Sequence, residues 1–455
     1  MFSLIKERLL PAQAQCLLAL LLMGASLTAV AQPVGEVEFS RGVGFAQAPG
    51  QVPRTLGKGL PLKEGDRLNT AEGSTAIIKL QDGTRMTLRP GSEMIVQQYR
   101  FKEGSTENSM IMQLLSGGFR AITGLISKNS PNAAKIQTST ATIGIRGTDF
   151  DARICVQDCK AEAAKVFEKP RLNAVQASAK LVSAQGDVSA LDSAGARRRL
   201  VDGGSVYPGE TVEMGSAAKG VLAFRDESRL TLGASTRFRV DSFVFDDKNP
   251  AEGRFLVSLL RGSMRALTGL IGRANNRNVG FTTATATIGI RGTGLDLDCG
   301  VADSADSCSF FTWLGTIEVA PTGQMAPQTL QAGQGLFVSR TATRPLTEST
   351  LEHLQRPDSV TVDTQQLFSS GGVSADDEGL FVFVRDGHIE LTTSRETLHL
   401  GRGETGFAAD DGRTGRPVDM PLFIQFDKVP LPNSSNPMLL SVMAEMSSSS
   451  SNMCR

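Results

Sequence analysis

A motif of twelve residues occurs twice in this chain, and its two copies are the sequence feature that most constrains the fold. Residues 140–151 read TATIGIRGTDFD, and residues 285–296 read TATIGIRGTGLD. A second block repeats in the same order, as QLLSGGFRAITGLISK at 113–128 and as SLLRGSMRALTGLIGR at 258–273. Self-similarity of this length indicates that one structural unit is built twice. We therefore expect two tandem repeat domains within the 455 residues.

The repeat sets the predicted division of the chain. Two shorter related segments, GTIEV at 315–319 and GHIEL at 387–391, are each followed by a glycine-marked turn, so the second one indicates a partial third unit. We expect this third unit to cap the second domain. The predicted parts are a signal peptide at 1–31, a first repeat domain at 32–160, a linker at 161–177, a second repeat domain at 178–340, a linker at 341–375, a partial third β unit at 376–410 and a largely disordered tail at 411–455.

The local sequence patterns are those of β strands. Two short apolar runs flank Asp82-Gly83, which predicts a hairpin because glycine accepts the positive φ of a tight turn. The second copy has Asp226-Glu227 at this place, so we expect a longer loop there. The apolar alternation changes phase near Asp241, which predicts a β-bulge. The fold class is therefore predicted as all-β, with sandwich-like or solenoid-like units and few short helices.

The first residues have the pattern of an export signal. Lys6 and Arg8 precede an apolar run at 16–27, and small residues up to Ala31 form a cleavage site. The run is shorter than the roughly 20 residues that span a bilayer, which favours cleavage over a membrane anchor. With 47 basic and 47 acidic residues, the chain has no net charge that would attract nucleic acid. We expect a periplasmic or secreted bacterial protein without a stable membrane span.

Four cysteines follow the repeated motif in two pairs. Cys155 and Cys159 come after the first copy, and Cys299 and Cys308 come after the second. Two local disulfides are the simple interpretation in an oxidising compartment. A zinc site built from all four is the alternative, although no histidine stands near them to complete a familiar ligand set. Cys454 has no partner in this scheme.

The repeated motif also carries the candidate site residues. Its alternating isoleucines and glycines predict a strand with one apolar face and one bare face. We interpret the arginine that follows, and the aspartate five positions later, as a buried charge-assisted pair that fixes the turn. A ligand-facing arginine and a catalytic site are the alternatives, and Gly294 in place of Asp149 argues against paired catalytic carboxylates. The candidate residues are Arg146, Gly147, Thr148, Asp151, Arg291, Gly292, Thr293 and Asp296.

Other signals for catalysis are weak. The three histidines, His353, His388 and His399, lie outside the two repeats, so a Ser-His-Asp arrangement has no support. A basic run, ARRRL at 196–200, is interpreted as a solvated edge that discourages strand pairing, with contact to an anionic polymer as the alternative. We therefore predict no catalytic, cofactor-binding or metal-binding residues.

Taken together, the repeated blocks resemble the FecR domain family of bacterial envelope proteins. The resemblance rests on the ordered segments LKEGDRLNT, IIKLQDGTRMTLRPGSEM, LLSGGFRAITG and TATIGIRGTDFD, with counterparts in the second copy. The resemblance implies an all-β, exported, protein-binding module. The family's sigma-factor regulators carry a cytoplasmic segment before a membrane span. This sequence departs from that plan, because an export signal occupies the place of the cytoplasmic segment.

The predicted function is that of an exported, non-enzymatic binding or scaffold protein of the cell envelope, and a part in envelope signalling is left open. The expected partner is another envelope protein. The alternative is a surface adhesin-like protein that binds polysaccharide or peptidoglycan, which would make a cell-wall polymer the partner. No cofactor and no nucleic acid are expected.

Overall fold

A computed structural model describes residues 32–130, 133–173, 175–300, 307–323 and 326–425. The predicted signal peptide and Cys454 lie outside the described residues. Within the described residues the all-β prediction is confirmed, because strands form two large sheets and every helix is short.

The strands fall into three consecutive groups along the chain. The first group is β1 (Gly35–Arg41), β2 (Gly44–Gln47), β3 (Arg54–Thr55), β4 (Pro61–Leu62), β5 (Arg67–Thr70), β6 (Thr75–Leu80), β7 (Arg85–Leu88), β8 (Glu93–Arg100), β9 (Ser109–Ser116), β10 (Gly118–Ile122), β11 (Ala134–Gln137) and β12 (Thr142–Cys155). The second group is β13 (Ala179–Gln185), β14 (Val188–Leu191), β15 (Arg197–Arg199), β16 (Ser205–Val206), β17 (Thr211–Met214), β18 (Lys219–Phe224), β19 (Arg229–Leu232), β20 (Arg237–Val244), β21 (Arg254–Leu267), β22 (Val279–Thr282), β23 (Ala286–Cys299), β24 (Ser307–Pro321), β25 (Gln328–Gln331), β26 (Gln334–Ser339) and β27 (Thr343–Leu346). The last group is β28 (Gly379–Thr392), β29 (Thr397–Gly401), β30 (Thr405–Ala408) and β31 (Thr414–Gly415).

The described helices lie between these strands or after them. They are α1 (Leu125–Asn129), α2 (Asp158–Ala163), α3 (Leu270–Ala274), α4 (Thr364–Phe368) and α5 (Leu422–Gln425), with short 3-10 turns at Pro250–Glu252, Asn276–Asn278 and Pro357–Ser359. Of the predicted tail at 411–455, the described part ends at Gln425 and contains β31 and α5.

The two sheets repeat one set of strand pairings. In the first sheet, β12 pairs with β10, β11 and β28, and β9 pairs in parallel with β11. In the second sheet, β23 pairs with β21, β22 and β24, and β21 pairs in parallel with β22. The single strand β21 takes the place of both β9 and β10. At that point Gly117 and Gly262 have φ of 69° and 87°, so β21 contains a left-handed glycine within one continuous strand.

The predicted third unit adds its strands to the first sheet. β28 lies antiparallel to β12 over its whole length, from Thr142 opposite Thr392 to Cys155 opposite Gly379. β29 and β30 then pair with β28, as β25 and β26 pair with β24. The expectation that this segment caps the second domain is therefore wrong. The whole second sheet lies in sequence between two neighbouring strands of the first.

Each sheet has its own apolar core. Alternating strand residues point inward, as in β8, where Met94 and Val96 are fully buried. Leu380, Val382 and Val384 of β28 belong to the core of the first sheet. Apolar burial thus joins the C-terminal segment to the N-terminal repeat, even though the second repeat separates them in sequence.

Two details of the strand predictions can be compared with the structure. The bulge predicted near Asp241 is confirmed, because the pairing of β20 with β21 shifts between Val240 and Ser242. The longer loop predicted at Asp226-Glu227 is wrong. Glu227 adopts a φ of 69°, so the turn stays as short as the one at Gly83 without a glycine.

Candidate functional site

Both copies of the repeated motif form a β-bulge at Arg-Gly-Thr. The pairing with the next strand shifts immediately after Arg146 in β12 and immediately after Arg291 in β23. Gly147 and Gly292 each have a φ of 60°, a left-handed conformation that glycine adopts at low cost. The motif therefore places the same irregularity at the same point of each sheet.

The threonine of the motif fastens this bulge to its neighbours. Thr148 Oγ1 donates a hydrogen bond to the carbonyl oxygen of His388 at 2.9 Å, and the Thr148 amide donates to Thr123 Oγ1 at 2.8 Å. Thr293 makes the same two kinds of bond in the second sheet, each at 3.0 Å. These buried bonds satisfy backbone groups that the bulge removes from the regular ladder.

A second glycine closes the bulge from the neighbouring strand. Gly387 in β28 and Gly315 in β24 have φ of 93° and 72°. A Cβ atom on Gly387 would overlap the carbonyl oxygen of Gly147, and a Cβ on Gly315 would overlap that of Gly292. This close approach explains why both GHIEL and GTIEV begin with glycine.

The two motif arginines have different surroundings. Arg146 Nη2 donates to Glu390 Oε1 at 2.7 Å, and the Arg146 side chain is 18% exposed. Arg291 is exposed, and no ion pair involves it among the described residues. The equivalent positions thus share a backbone role and differ in their side-chain role.

In the first copy each carboxylate of the motif binds an arginine from a neighbouring strand. Arg120 donates to both oxygens of Asp149, at 3.0 and 2.9 Å. Arg385 Nε donates to Asp151 Oδ2 at 2.7 Å, and Asp151 is only 1% exposed. Asp151 is therefore held by β28, the strand that follows the second repeat.

In the second copy one carboxylate accepts hydrogen bonds from several donors. Gly294 replaces the first carboxylate, and a Cβ there would overlap the Trp313 ring. Arg265 Nε and Trp313 Nε1 both donate to Asp296 Oδ1 at 2.9 Å. Burial raises the pKa of Asp296, against the stabilising effect of these bonds. The buried pair predicted between Arg291 and Asp296 is replaced by these partners.

The predicted disulfides are confirmed. Cys155 bonds to Cys159, and Cys299 bonds to Cys308, with Cα atoms 5.4 and 4.2 Å apart. In the second sheet the bond links the paired ends of β23 and β24, whereas in the first it links β12 to α2.

A cleft lies where the two sheets meet, and it contains one arginine of the repeated motif. The cavity has a volume of about 270 Å³. We call it the junction cleft. Its charged and titratable lining residues are Lys128, Arg146, Arg197, Arg198, Arg199, Asp386 and His388. The first sheet with α1 supplies one wall, and β15 of the second sheet supplies the other.

The cationic side chains of the cleft are held by carboxylates behind its surface. Arg198 Nη2 donates to Glu210 Oε2 at 2.6 Å, and Arg197 pairs with Glu213. Neither carboxylate lines the cleft. The side chains of Arg197 and Arg199 remain 58% and 53% exposed. The surface of the cleft therefore presents mainly positive groups.

A cluster of buried charges joins the two sheets. Lys180 of β13 and Glu404, between β29 and β30, are both fully buried, with Lys180 Nζ 3.2 Å from Glu404 Oε2. Arg416 Nε donates to the same oxygen at 3.0 Å. Burial lowers the pKa of Lys180 to about 8. The charges of Lys180 and Arg416 hold the pKa of Glu404 low in spite of its burial.

Two histidines stack between this cluster and the cleft. The His388 and His399 rings lie with centroids 5.4 Å apart, and His399 Nδ1 is 3.3 Å from His388 Nε2. Burial, followed by nearby positive charges, lowers the pKa of both imidazoles, in the case of His399 to about 4. Both rings are therefore neutral at pH 7.

Little in the sequence indicated this junction. Arg146 and the basic run at 196–200 were identified, but nothing local indicated that they line the same cleft. Lys180, Glu404 and the histidine pair were missed. The one available signal is the HIE sequence at 388–390, which puts His388 and Glu390 on the same face of a strand.

Comparison with known proteins identifies one segment of the chain. Residues 66–168 match the family model described as FecR protein. No curated protein matches the chain. Two solved structures of a putative anti-sigma factor from Parabacteroides distasonis ATCC 8503, at 1.65 and 2.50 Å resolution, each share 16% identity with this chain at a TM-score of 0.25. Each match covers 31% of this chain and 62% of that one, so the chain spans less than two thirds of those structures. A TM-score of 0.25 is too low to indicate a shared overall fold.

Within the described ranges, no helix combines the length and apolar character that crossing a membrane requires. The family match and the two disulfides indicate an extracytoplasmic location, because disulfides persist in oxidising compartments. The segment 66–168 of this chain is thus similar to the FecR protein family.

Proposed function

We propose that this protein is an exported, non-enzymatic binding protein of the bacterial cell envelope, and that a protein partner binds at the junction cleft. The FecR match at 66–168 supports a role in envelope signalling. The main observation in favour of partner binding is the junction cleft. It is built from both sheets, and it includes Arg146 of the repeated motif.

The proposal includes a domain arrangement. The first FecR-like unit consists of the N-terminal strands together with β28–β31, and the second unit is inserted between β12 and β28. The matched pairings of the two sheets support this arrangement. Because the insertion fixes both walls of the cleft, the binding surface exists only when both units are folded.

The chemistry of the cleft favours an acidic partner. Planar guanidinium groups bind carboxylates with two parallel hydrogen bonds. Arg197 and Arg199 are the most accessible of these groups, and the carboxylate nearest to Arg199, Asp187 at 3.6 Å, is 93% exposed. An acidic side chain or a C-terminal carboxylate of another envelope protein can therefore replace Asp187 at Arg199 at little cost.

The experiment is a pull-down from envelope extract, with cross-linking to locate the contact. The protein is compared with the double variant Arg197→Ala/Arg199→Ala. Arg273→Ala, which removes an exposed arginine of α3, is the matched control. We expect one defined protein to be captured by the wild type and the control, cross-linked beside the cleft, and lost in the double variant. Capture should also weaken as salt increases.

Two outcomes would oppose the proposal. Sedimentation with purified cell-wall polymer, without a protein partner, would favour the adhesin-like alternative. A protein partner that both variants retain equally would place binding away from the cleft.

A further inference from the structure

Three potential metal ligands converge on one face of the strand pair β28 and β29. His388 and Glu390 are two positions apart on β28, so their side chains point to the same side. His399 on β29 lies directly opposite Glu390. One ligand atom from each residue lies within 4.8 Å of the others. This convergence is produced by the pairing of strands, and it is independent of the proposed partner binding.

The separation of the two histidine nitrogens fits a shared ion. Nδ1 of His399 and Nε2 of His388 are 3.3 Å apart. A zinc ion binds imidazole nitrogen at about 2.0–2.1 Å, and two such bonds at a tetrahedral angle place their nitrogens roughly 3.4 Å apart. An ion can therefore bridge the two rings without movement of either strand.

The third ligand is already oriented. Arg146 Nη2 holds Glu390 through Oε1 at 2.7 Å, and one carboxylate oxygen of Glu390 lies within 4.8 Å of a ligand nitrogen of each histidine. Hydrogen bonds of this kind position a metal-binding carboxylate. The site also has an entrance, because His388 lines the junction cleft.

The surroundings set limits on the ion. Neutral imidazole is the form of histidine that binds metals. Lys180, Arg146 and Arg416 bring positive charge near His399, and Glu404 brings a negative charge. Imidazole ligands suit transition metals, whereas Ca²⁺ and Mg²⁺ prefer a set of oxygen ligands.

We propose that His388, Glu390 and His399 form a binding site for a divalent transition metal, with Zn²⁺ as the probe. The site has two nitrogen ligands and one oxygen ligand, and an ion in it would fasten β28 to β29 at the wall of the cleft.

The test uses the full mature chain, without a tag, in a Cys454→Ser background so that the remaining thiol does not bind metal. After treatment with chelator, Zn²⁺ is titrated by calorimetry, and Co²⁺ is followed by its visible absorption. We expect one ion per chain. Glu390→Gln and His399→Gln should each weaken Zn²⁺ binding by at least about tenfold, comparable to losses on disturbing metal sites. His353→Gln, at a distant histidine, should bind as the wild type does.

Circular dichroism shows whether each variant is folded. Glutamine has the same shape as glutamate, and its amide oxygen can still accept the hydrogen bond from Arg146. Glu390→Gln therefore remains a valid test of metal binding if His399→Gln does not fold. Zn²⁺, but not Mg²⁺, should raise the melting temperature of the wild type, and the same Zn²⁺ concentration should raise that of Glu390→Gln by less. Absence of saturable binding of one ion, or equal binding by wild type and Glu390→Gln, would overturn the inference.

Discussion

The buried charge cluster between the sheets gives the sharpest prediction for stability. Glu404 accepts hydrogen bonds through one oxygen from Lys180 at 3.2 Å and from Arg416 at 3.0 Å, and all three side chains are at most 2% exposed. Replacing Glu404 by Gln removes the only carboxylate in this triad and leaves two buried cations.

The size of the effect follows from these contacts. Removing one member of a buried ion pair costs about 3–5 kcal/mol, because an uncompensated charge stays behind. Lys180 can lose its proton, since its pKa is already lowered to about 8, but the Arg416 guanidinium cannot. We therefore expect Glu404→Gln to lower the free energy of unfolding by about 3 kcal/mol at pH 7, near the lower end of that range.

The assay is urea unfolding followed by two signals. Far-ultraviolet circular dichroism reports on both sheets, and the fluorescence of Trp313, the single tryptophan, reports on the second sheet. Because Lys180 is on the second sheet and Glu404 is attached to the first, both transitions should shift to lower urea. Glu227→Gln is the control, because Glu227 is 46% exposed and pairs with exposed Arg273. We expect the control to change stability by less than about 0.5 kcal/mol. An equally small effect of Glu404→Gln would refute the reasoning.

Two further predictions concern pH and the glycine contacts. Between pH 8 and 10.5 the unfolded chain keeps a proton on Lys180 that the folded chain has released, so Lys180 should contribute a rise of about 3 kcal/mol to the free energy of unfolding over this range. A Lys180→Met variant measured over the same pH range should lack this rise, and equal slopes would contradict the assignment. Gly387→Ala and Gly315→Ala should each destabilise the protein by at least about 2 kcal/mol, because both add a Cβ at a positive φ against a carbonyl oxygen. The control is Gly59→Ala, because Gly59 also has a positive φ but has open space around it. Thermal unfolding compares the three variants. If Gly387→Ala and Gly315→Ala lose no more stability than the control, the close approach is not supported.

Local chemistry explains what the sequence could predict. The turn at Asp82-Gly83 and the bulge beside Asp241 depend on residues that are adjacent in the chain, and the structure shows both. The cysteine pairs were predictable for the same reason, since each pair is separated by only a few residues. The FecR resemblance was likewise carried by contiguous segments, and the family match at 66–168 covers those of the first copy from Asp66 onward.

The remaining features depend on pairing between distant segments. β12 needs a partner on its open side, and nothing in its own sequence says that the partner begins at Gly379. The GHIEL segment was identified as a relative of GTIEV, but its partner strand was not. The ion pair of Arg146 with Glu390 and the burial of Lys180 follow from that long-range pairing. A lysine in a short strand otherwise predicts an exposed position.

The central claim is that β28 completes the first sheet, and a deletion tests it most directly. Cys155 and Gly379 lie opposite each other at the ends of β12 and β28, so a short loop can join them. Residues 156–378 are replaced by the sequence of 300–307, which connects the equivalent strands of the second sheet, and Cys155→Ser removes the unpaired thiol. If β28 completes the first sheet, this shortened chain should show a β-type circular dichroism spectrum and a single cooperative thermal transition. The separate segment 175–346 is measured in parallel. If that segment folds and the shortened chain does not, β28 does not complete the first sheet.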